Sequence, residues 1–263
     1  MDKKNEWSKY ELNYIYDEPV IYRNLTIYPI LMRDYLSFFY FAECFTMDKN
    51  SISDVKIISM TYINYMYEMS NEDKPYIAYF DAILRMITRK PDLKVAYGKN
   101  PKGKAIFVIE GEEYSAKDFE ELKSIICKWN MVELPDETIQ KEIRDNMKLA
   151  QELRGRNSGK MASLEDQMIC VMISTPLSLD EIYKLPVRKF IKILERVDAR
   201  LHYKIYLSAS MSGMVEFKDK SFIKHWMSDL SKKKLDLVPL EKIQDTVSGK
   251  NPSIRGSGKG KKK

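Results

Sequence analysis

Apolar residues recur at helical spacing along most of this chain, and in two places the period shortens to that of a strand. Residues 7–29 (WSKYELNYIYDEPVIYRNLTIYP) are rich in Tyr and β-branched side chains and contain Pro19 and Pro29, which predicts an extended arm or a short strand pair. After Pro29, the run ILMRDYLSFFYFAECF is helical by length and apolar content. Ser51 or Ser53 caps the next predicted helix, with Val55, Ile58, Tyr62 and Met66 on one face. A third helix, from about Tyr76 to Thr88, turns Ile77, Phe80, Ile83, Leu84 and Ile87 inward and is stopped by Pro91.

The period then changes. LKVAY (93–97) and AIFVIE (105–110) flank GKNPKGK and predict a hairpin, after which GEEYS returns the chain to helix. Ser115 and Asp118 form a capping pair for a helix over 116–130, striped by Phe119, Leu122, Ile126 and Trp129. A narrower stripe of Ile139, Ile143, Met147 and Ala150 follows Pro135. Residues 155–162 (GRNSGKMA) lack periodicity and make the clearest internal break. Beyond it, Ser163 and Asp166 mark a helix start. Val187, Phe190, Ile191, Leu194, Val197, Leu201 and Ile205 trace a long helix from about Val187 to Leu207. Ser212-Gly213 turns the chain into SFIKHWMSDLSKK, which reads as one more short amphipathic helix.

These elements predict a mainly α protein with a small β-hairpin and an extended N-terminal arm, hence α+β. The expected layout is an N-terminal helical domain over 1–154 with its hairpin near 93–110, and a linker at 155–162. A C-terminal helical domain over 163–248 and a disordered basic tail at 249–263 complete it.

Composition refines this without changing it. A chain of 263 residues with 44% apolar and 31% charged side chains can bury a core without disulfides or metal. Cys44, Cys127 and Cys170 are far apart in apolar helical contexts, which predicts buried reduced thiols and a reducing compartment. The start, MDKKNEWSKYEL, has no apolar core and does not read as a secretory signal. The most apolar stretch, Leu25 to Phe45, is interrupted by Arg33 and Asp34, so a buried helix is expected there and no membrane span. Of the 44 Lys and Arg, six lie in the tail, leaving 38 against 38 Asp and Glu in the rest of the chain. Any nucleic-acid affinity is therefore expected through the basic tail alone; the same tail can equally serve only solubility.

The search for chemistry is largely negative. Gly98 to Lys104 matches the glycine and lysine spacing of a phosphate loop, but Ala105 replaces the Mg²⁺-binding hydroxyl, Pro101 removes an amide, and a strand follows instead of a helix. The expectation is a hairpin loop and no nucleotide cofactor. His202 and His225 have no nearby partners at metal-ligand spacing, so no metal is expected. Ser221 to Lys224 fits a Ser-x-x-Lys spacing that is common by chance. Glu195, Arg196, Asp198 and Arg200 read as a solvated charged face. No catalytic residue is assigned, and the protein is expected not to be an enzyme. Seventeen Tyr and fifteen Met suit adaptable binding surfaces, although a Met-tolerant core accounts for them as well. The partner-binding candidates are Trp226, Phe222, Tyr203, Tyr35 and Phe38.

Two segments carry a family resemblance. LTIYPILMRDYLSFFYFAECF (25–45) steps through Tyr-Pro into an aromatic helix, and residues 163–230, from SLEDQMICVMIS to KHWMSDL, end near His225-Trp226. Together they resemble tail assembly chaperones of phages infecting Gram-positive bacteria. The resemblance implies a non-catalytic protein of the host cytoplasm that coats the helical tape-measure protein, or another tail protein, until the tail tube forms. In that family a longer product can arise by frameshifting, and the break at 155–162 is where such a boundary would fall. Self-association stays open, as do two alternatives: a structural tail or baseplate component of the virion, and a nucleic-acid-binding factor acting through the tail.

Overall fold

A computed structural model describes residues 9–49, 55–100, 103–135, 162–212 and 223–230. The Ser51/Ser53 cap, the stripe after Pro135, Phe222 and the basic tail lie outside these residues, as does the break at 155–162 except for Ala162. The fold is α+β: helices around two small antiparallel sheets.

The N-terminal segment departs from the expected extended arm. Residues Glu11–Tyr16 form a helix (α1), closed by Asp17 in the left-handed region (φ 59°). Its Tyr14 is buried against Trp129, with ring centroids 5.3 Å apart. The strand-pair half of the expectation is met by Val20–Tyr22 (β1) and Leu25–Ile27 (β2). Arg23 in their turn has φ 52° and is held by its side chain, which pairs with Glu112 at 2.7 Å and donates to the Glu113 carbonyl at 2.8 Å.

The stretch expected as one buried helix is divided. Leu31 is extended, Met32–Asp34 is a 3-10 turn, and helices Tyr35–Phe41 (α2) and Glu43–Thr46 (α3) meet at Ala42. Phe38, Ala42 and Phe45 point inward at helical spacing, while Leu36, Phe39 and Tyr40 are exposed. The next predicted helix is also two, Val55–Ser59 (α4) and Tyr62–Met69 (α5). Thr61 is extended (ψ 151°), and Lys49 donates to the freed Met60 carbonyl at 3.0 Å. The break leaves Val55 and Ile58 exposed, whereas Tyr62 and Met66 are core.

Tyr76–Thr88 (α6) agrees with its stripe, four of whose five predicted residues are fully buried, and ends at left-handed Arg89 (φ 56°) before Pro91. Strands Val95–Lys99 (β3) and Ala105–Ile109 (β4) form the expected hairpin. A third strand, Glu112–Tyr114 (β5), lies where a return to helix was expected. Glu110 and Gly111 both take positive φ (51° and 86°), the geometry of a tight two-residue hairpin turn. Among the described residues of the would-be phosphate loop and the residue after it, three amides are engaged within the protein. Gly103 N–H donates to the Asn100 carbonyl, Lys104 N–H to Asn100 Oδ1 and Ala105 N–H to Asn64 Oδ1.

Helix Ala116–Trp129 (α7) begins with the predicted Ser115/Asp118 capping box, and its stripe is buried. Phe119 sits at the centre of the core, with the rings of Phe45, Tyr62, Phe80 and Phe107 at 5.0–6.3 Å. Among the described residues three C-terminal helices follow: Leu164–Ser174 (α8), Leu179–Lys184 (α9) and Val187–Met211 (α10), the first two each with a Ser capping box. A backbone seam joins them to the N-terminal part. Met32 N–H donates to the Leu185 carbonyl and Val187 N–H to the Ile30 carbonyl, both at 2.9 Å, around a Leu31–Pro186 bridge. Val171, Ile182, Val187 and Phe190 thereby join the common core.

The thiols divide by depth. Cys44 and Cys127 are buried, but Cys170 is exposed, because α8 buries only Val171 completely and the opposite side meets solvent. Burial pushes the Cys127 thiol up to about 12 and raises Cys44 well above its usual range, with Cys127 adding to the effect. A thiol-specific chromophoric reagent at pH 8 is expected to modify one cysteine quickly in the native protein and three in denaturant. Two fast native thiols would contradict this burial pattern. No helix of the described residues is long and apolar enough to cross a membrane.

Candidate partner-binding site

Helix α10 positions most of what the C-terminal part offers to a partner. Its first turns are anchored by the seam and by fully buried Val187 and Phe190. Further along, Ile191, Ile193 and Leu194 are half-buried against the core. The same stripe then leaves the body: Leu201 is 53% exposed and Ile205 61%. On neighbouring α8, Ile169, Met172 and Ile173 are also exposed, Ile173 at 77%. An amphipathic stripe normally buries its whole length, so one that outruns its own core is a candidate interaction surface.

Residues 223–230, expected as a short helix, form a turn instead, closed by Ser228 N–H donating to the His225 carbonyl at 2.8 Å. Arg196 of α10 fixes this turn. Its Nη1 donates to the carbonyls of Trp226 and Ser228, both at 2.7 Å. Two charge-assisted bonds satisfy carbonyls that a helix would have used internally. The His225 ring lies 5.0 Å from Tyr203 and 5.9 Å from Trp226. Tyr203 and Trp226, both half-buried, are thus brought together beside α10.

The other candidates are elsewhere. Tyr35 is half-buried on α2, its ring 5.8 Å from Phe39. Phe38 is a correction: it has no exposed surface and belongs to the core, so a partner cannot reach it. Helical geometry gives the outward positions to Phe39 and Tyr40. Sequence reasoning missed Leu201 and Ile205 as surface features, and read Arg196 as solvated charge where it holds the Trp226 turn. The stripe itself was visible, but not the point at which the core ends beneath it.

Two grooves flank α10. One, of about 800 Å³, is lined by Ile191, Ala199, Tyr203, Tyr206 and Met131 together with mixed charges. The other, of about 550 Å³, lies on the side of α1 and includes Trp226. Among the described residues no cluster of His, Cys, Asp and Glu is placed to hold a metal ion.

Comparison with known proteins bears on this same region. No curated protein and no solved structure matches the chain. Residues 155–231, which contain α8, α9, α10 and the Trp226 turn, match the family described as YomV second domain. That family is of Bacillus phage type, and the match associates the chain with phage proteins.

Proposed function

We propose that the protein is a non-enzymatic phage tail assembly chaperone that holds a long helical client, the tape-measure protein, in the host cytoplasm. The observation that carries this reading is the apolar stripe of α10 continuing past its own core, in the segment that matches a phage-type domain. An amphipathic client helix laid against Leu201, Ile205 and the exposed side of α8 would bury apolar area on both partners. Each 100 Å² so removed from water contributes about 2.5 kcal/mol before the costs of association. Such binding depends little on ionic strength, unlike binding through the lysine-rich tail.

Co-expression with the tape-measure candidate of the same genome, followed by size exclusion at low and high salt, tests the reading. Co-elution that survives high salt is expected. The double variant Leu201→Glu, Ile205→Glu should lose it while keeping the wild-type melting temperature, since both side chains are largely exposed. If wild type and client never associate, and the protein instead appears stoichiometrically in mature virions, it is a structural tail component.

A further inference from the structure

The smaller groove has a chemistry of its own. Its apolar surface comes from Tyr14 and Ile15 of α1, Ile193 and Val197 of α10, and Trp226. Every charged side chain lining it is basic: Arg188, Lys189, Lys192, Arg196 and Arg200. Three of these are neutralised within the protein. Arg188 pairs with Glu11 at 2.7 Å, Lys189 with Asp17 at 2.6 Å and Lys192 with Glu195 at 2.9 Å. The other two meet no carboxylate among the described residues. Arg196 uses Nη1 on the two turn carbonyls and keeps its remaining donors, and Arg200 is exposed to solvent. They stand four residues apart on α10, where like charges destabilise a helix unless an anion lies between them.

We propose that this groove docks an acidic amphipathic segment of a partner protein. An apolar side chain enters between Ile15, Ile193, Val197 and Trp226, and a carboxylate takes the forked donors of Arg196 and Arg200. The assignment rests on the partner-binding reading above for the partner being a protein, and adds what that partner must carry. A nucleic acid fits less well. Strand binding needs a run of free cations along a backbone, and here three of five are already paired.

Fluorescence anisotropy with the full chain provides the test. Three fluorescein-labelled probes are used: a helical peptide with Leu at i and i+4 flanked by Glu, the same peptide with Lys for Glu, and a single-stranded oligodeoxynucleotide. The Glu peptide is expected to bind at least tenfold more tightly than the Lys peptide. Arg200→Glu should weaken the Glu peptide roughly tenfold without lowering the melting temperature, because Arg200 holds no ion pair among the described residues and the change relieves its repulsion with Arg196. Trp226→Ala should weaken it similarly. Equal affinity for both peptides, indifference to Arg200→Glu, no peptide binding, or a stronger oligonucleotide complex each overturns the proposal. If the peptide fails while wild type still co-elutes with the tape-measure protein, the groove assignment falls and the functional reading stands. If the peptide binds but the tape-measure protein does not co-elute, the groove assignment stands and the functional reading falls.

Discussion

Phe119→Ala is expected to destabilise the protein by about 3–5 kcal/mol, the range for truncating a fully buried aromatic. Native domains are typically stable by only about 5–15 kcal/mol, so the variant should be partly unfolded near physiological temperature. The reason is its position. Phe119 has no exposed surface and touches aromatic rings from α3, α5, α6 and β4, its closest neighbour being Phe80 at 5.0 Å. Removing the ring opens a cavity whose walls are themselves rigid rings, which relax poorly into the space. Phe119→Leu keeps most of the volume and should cost about half as much or less. Urea melts of the three proteins check this. A loss below about 1 kcal/mol for the alanine variant would show that the core collapses around the gap and that Phe119 is not its hub.

Asn130→Ala is the second large effect, through hydrogen bonds instead of volume. Asn130 is 3% exposed, accepts from Ile30 N–H at 3.0 Å and donates to the Ile126 carbonyl at 2.9 Å. Alanine leaves a buried amide without a partner, an expected cost of about 2–3 kcal/mol. The damage should also spread. The Ile30 amide bonded to Asn130 and the Ile30 carbonyl accepting from Val187 belong to one residue, so loosening it weakens the attachment of α10. Hydrogen exchange should therefore show faster exchange at Val187 N–H as well as at Ile30 N–H. Protection lost at Ile30 alone would mean that the seam does not depend on Asn130.

What the sequence revealed depended on how locally each element is determined. α6 and α7 were readable because their stripes keep the helical period and the caps are sequence-adjacent: Ser115 with Asp118, Arg89 before Pro91. α1 was not, because six residues have too little intrinsic helicity and the helix is held by distant partners, Trp129 under Tyr14 and Arg188 on Glu11. The third strand was missed because Glu110 is an unusual residue for a left-handed turn position, although Gly111 was there to be seen. In the candidate site, Trp226 and Tyr203 stood out by residue type. Arg196 and Arg200 read as solvated charge, since neighbouring acids in sequence explained them. The carbonyls that Arg196 binds are thirty residues or more away, a distance at which side-chain pattern carries no signal.

The seam between Leu31 and Pro186 also sets a clock on synthesis. Its two halves lie 155 residues apart, so the first leaves the ribosome long before its partner exists. At about 5–20 residues per second, the interval is roughly 8–30 s. For that time the Ile30 carbonyl and Met32 amide lack the partners they have in the finished fold, on an extended step at Leu31 that belongs to neither sheet. Attachment of the C-terminal helices is thus a late event in the life of each new chain, fixed by the distance along the sequence and not by the strength of the seam.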